Sequence, residues 1–277
     1  MAGFDPELGE ASREAGLQSG DVLQKIDNVA ISSPEDVRTA LRRSNGTVTV
    51  ELKREGKSVK LRLSPQITRD GPKLGVLLRQ GVTGIGTVTW YDPETGEFGA
   101  LGHGVNDSKG DLLPMTAGNT YRASITAVQK GEVGQPGRLI GTVVSPQPSG
   151  TLLRNTAKGV FGKTSEGWEG EAVPIAEAEQ VKPGEAAILC TVADGTPREY
   201  SVKILKIYPK SRENGRNLLL KVTDPALLED TGGIVQGMSG SPILQDGKLV
   251  GAVTHVLVND PTAGYGIFIE NMLPAAS

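Results

Sequence analysis

A chain of 277 residues with a formal charge of −3, two histidines and one cysteine is long enough to bury two cores. It carries no basic footprint for nucleic acid, forms no internal disulfide, and lacks the Cys/His density of a transition-metal site, so no cofactor, metal or nucleic-acid partner is expected. With 37 Gly and 17 Pro it reads as many short strands joined by specified turns. No apolar run of about 18 residues crosses a membrane, and no signal peptide precedes "MAGFDPELGE".

The first 65 residues or so have their own pattern. In "SSPEDVRTALRRSNG" Ser33 caps a helix, Pro34 suits its first position, and Glu35 and Asp36 favour the positive end of its dipole. Val37, Ala40 and Leu41 form its apolar stripe. A hairpin follows: Val48, Val50 and Leu52 alternate before a turn at "REGK", and Val59, Leu61 and Leu63 alternate after it.

The order "GLQSGDVLQKIDN", helix, two strands resembles a PDZ domain. Such a domain adds an extended peptide beside its helix and receives the terminal carboxylate in a loop before the edge strand. That loop falls before Phe4, so the likeness implies a domain shortened at its start, contacting either a peptide or its own chain. The expected division is a PDZ domain over 1–65, a linker over 66–75 around "SPQITRDGPK", and a larger domain over 76–277.

Beyond the linker, "GIGTVTWYD", "FGALGH", "RASITAVQKG", "RLIGTVVS", "AAILCTVAD", "YSVKILKIYP", "NLLLKVTD", "SPILQDGKLVGAVTHVLV" and "GYGIFI" predict about ten strands, with barrels favoured because closure removes sheet edges. Nothing else there reads as strongly helical.

A serine hydroxyl becomes a nucleophile only beside a base, which in turn needs a partner to hold its tautomer. The imidazole candidates are His103, glycine-flanked at a strand end in "GALGHGVND", and His255, inside the alternating strand "LVGAVTHVLV". In "QGMSGSP", Gly237 and Gly240 bracket Met238 and Ser239. A tight turn there aims the Gly237 and Ser239 amides at one point beside Ser239 Oγ, as a tetrahedral oxyanion requires. An ordinary Gly/Ser turn between strands is the competing reading.

"GMSGSP" leading into "GKLVGAVTH" resembles the nucleophile turn of chymotrypsin-fold serine proteases. With "GIGTVTWYDPETGEFGALGHGVND" around His103 and "VTDPALLEDTGGIVQGMSGSPILQDGKLVGAVTHVLVNDPTAGYGIFIENML" around Ser239, the chain resembles the SpoIVB peptidase family of spore-forming bacteria over nearly its whole length. The resemblance implies a mainly β protein, a small α+β PDZ domain followed by a chymotrypsin-like double β-barrel. It implies a serine endopeptidase with His103 as general base, Ser239 as nucleophile, Asp224 of "KVTDP" as triad acid, and the Gly237 and Ser239 amides as oxyanion hole. Asp194 in "TVADG" is the reserve acid. Asp107 lies very close in sequence to His103, and Ser241, followed by Pro242, continues the turn.

The same resemblance implies an exported enzyme of sporulation signalling. It would cut itself and membrane-associated regulatory proteins between mother cell and forespore, with a membrane anchor before residue 1. A non-catalytic PDZ-containing scaffold is the alternative. An α/β-hydrolase esterase is set aside, because Ser241 stands where G-x-S-x-G needs its second glycine and a strand, not a helix, follows.

Overall fold

The computed structural model describes residues 1, 3–31, 33–54, 57–78, 83–107, 110–115, 118–164, 166–168, 170–192, 195–211 and 215–276. They fall into two compact units, Met1–Thr83 and Gly84–Ser277.

The first unit contains β1 (Gly3–Phe4), α1 (Glu10–Glu14), β2 (Val22–Ile26), β3 (Val29–Ala30), α2 (Pro34–Arg43), β4 (Val48–Arg54), β5 (Lys57–Leu63), β6 (Gln66–Thr68), β7 (Gly71–Lys73) and β8 (Val76–Leu77). Helix α2 starts where Ser33 and Pro34 predict. Asp36 N–H donates to Ser33 Oγ at 3.2 Å and Ser33 N–H to Asp36 Oδ2 at 2.8 Å, a reciprocal cap. The predicted stripe of Val37, Ala40 and Leu41 is buried in one core with Val48, Val50 and Leu52 of β4. Strands run β3-β2-β4-β5, all antiparallel. The tip of the predicted hairpin turn, residues 55 and 56, lies outside the described residues.

The segment expected as a linker, 66–75, is instead structured within this unit. Strands β6 and β7 form a short hairpin, with Ile67 opposite Pro72. Beyond them, β8 pairs with β1, Phe4 opposite Val76. Three-residue strands are too short to show a period of two, which is why their sequence reads as a connector.

The second unit contains β9 (Val88–Tyr91), β10 (Glu97–Ala100), β11 (Gly118–Thr120), β12 (Ala123–Gln129), β13 (Arg138–Val143), β14 (Gly150–Thr156), β15 (Gly159–Thr164), β16 (Gly184–Cys190), β17 (Arg198–Ile207), β18 (Leu218–Val222), α3 (Pro225–Thr231), β19 (Pro242–Gln245), β20 (Lys248–Leu257), β21 (Asp260–Phe268) and α4 (Ile269–Met272). Its C-terminal half is a closed antiparallel barrel, β16-β17-β18-β21-β20-β19. Alternate residues of those strands, among them Ile188, Val202, Ile204, Leu218, Leu220, Ile243 and Val253, fill the interior. Its N-terminal half is a five-stranded sheet, β11-β14-β15-β10-β9, with β12 and β13 as a separate hairpin. Of the two barrels expected, one closes among the described residues, and the other half is an open sheet. The chain is mainly β, as the sequence predicts.

Candidate active site

The turn after α3 carries Ser239. Met238 points inward and is fully buried in the barrel core. A methionine buried to this degree contributes roughly 1.5–3 kcal/mol and roots the turn in the barrel, while Ser239 beside it stays half-buried and accessible. Among the described residues the N–H groups of Gly237 and Ser239 have no hydrogen-bond partner, whereas Met238, Gly240 and Ser241 donate to Val235, Val253 and Met238.

The histidine arrives from the open sheet. After β10 the chain takes two left-handed residues, Leu101 and Gly102, each with φ +69°, and this reversal presents His103. Glycine is required at 102, because a Cβ there would lie 2.9 Å from Thr254 Cγ2. It is required at 240 as well, where a Cβ would lie 2.0 Å from the Thr87 carbonyl oxygen and 2.6 Å from Leu101 N. These approaches bring 101–103, 239–240 and 254–255 together. Ser239 Oγ donates to Thr254 O at 3.1 Å, and the rings of His103 and His255 stand 5.3 Å apart at 44°.

His103 Nδ1 lies 2.9 Å from the Gly104 carbonyl. An N–H at Nδ1 donating there leaves the Nε2 lone pair to accept a proton. The His103 loop is held from the side by Asn155 at the end of β14. Its Oδ1 accepts from Val105 N at 2.9 Å, and its Nδ2 donates to Val105 O at 2.7 Å and Leu113 O at 2.9 Å.

Burial pushes His255 down to about 4, with the neighbouring His103 and Arg216 adding to the effect. It is therefore neutral near pH 7, and its Nδ1 is buried without a partner among the described residues.

Among the described residues Asp224 has no hydrogen bond to His103. It is the N-cap of α3: Oδ1 accepts from Ala226 N and Leu227 N at 3.0 and 3.1 Å, and Oδ2 from Ser201 N at 3.2 Å. Gly215, near one end of β18, meets the His103 segment, a Cβ there lying 3.5 Å from Gly102 O. Asp224 follows the opposite end of that strand. At ~3.3 Å per extended residue the two positions are on the order of 20–30 Å apart. These contacts lend the expected role of Asp224 as triad acid no support: the carboxylate answers the orphan N–H groups of a helix start.

Asp194 lies outside the described residues. Asp107 is exposed and accepts from Asp111 N within its own loop. Ser241 is fully buried, with its hydroxyl unpartnered among the described residues, so it cannot meet a substrate. Among the described residues no cluster of three or more His, Cys, Asp or Glu could hold a metal ion.

Sequence reasoning missed Asn155 and the two threonines before and within β9. Thr87 N donates to Ser239 O at 2.9 Å, Thr87 Oγ1 to Gly237 O at 3.2 Å, and Thr89 Oγ1 to Gly240 O at 2.8 Å. Their signal is thin. "GTVTW" shows threonines alternating with apolar residues, as in any half-buried strand.

Comparison with known proteins adds what geometry cannot. The sequence family described as SpoIVB peptidase S55 matches residues 70–273, and a PDZ domain family matches 9–54. The chain is 36% identical over 89 residues to "Putative zinc metalloprotease R01501" of Rhizobium meliloti (strain 1021), spanning 32% of this chain and only 23% of that protein. Among solved structures it is similar to the active form of the Rv3671c protease from M. tuberculosis, at 14% identity and TM-score 0.35, covering 71% of this chain and 90% of that one. It is also similar to the HtrA-type protease AlgW with decapeptide, at 12% identity and TM-score 0.37, covering 62% and 57%.

Proposed function

Because this chain belongs to the SpoIVB peptidase S55 family and is a serine peptidase on that ground, we propose that Ser239 is its nucleophile and His103 its general base. The observation that carries this is the turn itself: a half-buried serine beside two unpaired amides, in contact with the segment that presents a histidine.

In this reading a peptide carbonyl lies with its oxygen between the Gly237 and Ser239 N–H groups. Ser239 Oγ leaves its bond to Thr254 O by rotation about χ1 and attacks as His103 Nε2 accepts its proton. The forming oxyanion gains two hydrogen bonds that the ground-state carbonyl makes less well, which is the differential binding that lowers a barrier. His103 then gives its proton to the leaving amine, and water repeats the sequence on the acyl enzyme. The Gly104 carbonyl holds the imidazole tautomer, a task that falls to a carboxylate in a full triad.

Family membership supports a finer reading of the biology. The substrates are proteins, membrane-associated regulators of sporulation and the chain itself, cut outside the cytoplasm between mother cell and forespore. The PDZ domain docks a peptide, from a substrate or from its own chain. Among the described residues no helix is long and apolar enough to cross a membrane.

Cleavage of fluorescein-labelled casein by the full chain tests the assignment. Ser239→Ala and His103→Ala each lower kcat by about 10⁴-fold or more. Retention of activity in either variant, with wild-type melting behaviour, removes that residue from the mechanism.

A further inference from the structure

The amides that await an oxyanion are aimed by the peptide planes around them, and those planes can be accounted for group by group. Between Gln236 and Ser241 lie five peptide units. All five carbonyls are engaged: Gln236 O accepts from Leu139 N, Gly237 O from Thr87 Oγ1, Met238 O from Ser241 N, Ser239 O from Thr87 N and Gly240 O from Thr89 Oγ1. Three of the five N–H groups are also engaged, those of Met238, Gly240 and Ser241. What remains, among the described residues, is the pair on Gly237 and Ser239.

Two of these carbonyl bonds are ordinary backbone pairing within the turn or from β13. The other three come from Thr87 and Thr89, and no backbone ladder supplies the two that use their hydroxyls. Because a trans peptide is planar, fixing a carbonyl fixes the N–H of the next residue on the opposite side. The Thr87 bonds therefore set the two planes that adjoin those of the free donors, the Thr89 bond sets the plane after them, and together they prevent the turn from rotating either donor away. Thr89 is 5% exposed, so its hydroxyl bond to Gly240 O is shielded from water.

We infer that Thr87 and Thr89 are positioning residues for the oxyanion site, acting from the histidine half of the peptidase unit on a turn rooted in the barrel half. They touch no reacting atom. They hold the two donors in place before substrate arrives, so that no reorganisation is required as charge develops. This rests on the reading of Ser239 as nucleophile.

The test is the rate of phosphonylation of the full chain by a fluorophosphonate–biotin probe, resolved into kinact and KI, since the phosphonyl oxygen occupies the same donors. Thr89→Val keeps shape and removes the hydroxyl. It lowers kinact by about ten- to a hundredfold with KI changed less than threefold, and Thr89→Ser restores kinact to within threefold. Thr87→Val, at a half-buried position, gives a smaller loss in the same parameter and serves if Thr89→Val does not fold. Wild-type kinact in folded Thr89→Val or Thr87→Val, or Thr89→Ser as impaired as Thr89→Val, overturns the inference. Labelling that persists in Ser239→Ala overturns instead the reading on which it rests.

Discussion

The turn that carries Ser239 and the loop that carries His103 meet at one site but are held in different ways. The turn is bonded through every peptide plane and rooted by Met238 in the barrel core. The loop leaves β10 through two left-handed residues, and its backbone is held by Asn155 and by a few backbone bonds, among them Leu113 N to Val105 O. Its imidazole meets its own neighbour's carbonyl and stands against the ring of His255. In the proposed mechanism the oxyanion donors are thus preorganised, while the alignment of the proposed base depends on a few contacts. Ser239 Oγ is bonded to Thr254 O.

That contrast can be broken or sharpened experimentally. The largest effect belongs to the reacting groups, the losses of about 10⁴-fold or more expected for Ser239→Ala and His103→Ala in casein hydrolysis. The threonine variants come next, through kinact. Asn155→Asp follows. A carboxylate can accept from Val105 N but cannot donate to Val105 O and Leu113 O, so the loop loosens and kcat falls about tenfold, with faster amide exchange at Val105. Unchanged exchange and kcat would show that the loop holds itself.

Asp224 gives a smaller effect, and one of a different kind. Asn caps a helix about as well as Asp, whereas Ala costs ~1 kcal/mol. Asp224→Ala should therefore lower the urea midpoint while Asp224→Asn leaves it in place, and both keep kcat within threefold. A loss in Asp224→Asn near the 10⁴-fold expected when a triad acid is neutralised would restore the carboxylate to the mechanism.

The smallest effect is the pH dependence from His255. Its folded value, about 4, lies below the ordinary 6.5, so between those pH values the unfolded chain binds a proton that the folded chain does not. Stability falls as the pH is lowered from about 6.5 towards 4, and is unaffected by this group above that window. Urea midpoints at pH 5 and 7 read it, and His255→Gln flattens the difference. His103 and Arg216 face it and add to the lowering that burial causes.

Much of this was legible beforehand where a local rule and a burial pattern agreed. Ser33 and Pro34 announced α2, the alternation of Val48, Val50 and Leu52 announced β4, and Gly237 and Gly240 announced a tight turn, which their left-handed φ values show. Asp224 shows what a local reading passes over. Asp224-Pro225 is the same cap signature as Ser33-Pro34, yet followed by only seven helical residues it reads as a strand end delivering a carboxylate. Strands β14 and β15 escaped notice because "TLLRNTAKGVFGKT" mixes charge into short strands. With them went Asn155, whose role depends on a contact fifty residues away in sequence. The threonine hydroxyls were invisible for the same reason: a hydrogen bond across some 150 residues leaves no local pattern.

The most direct test of the Ser239–His103 assignment is the site of fluorophosphonate attachment on the folded full chain, mapped by peptide mass spectrometry. The account predicts a single adduct on Ser239, lost in His103→Ala and retained in Asp224→Asn. An adduct on another residue, or one on Ser239 that forms as fast in His103→Ala as in the wild type, contradicts it.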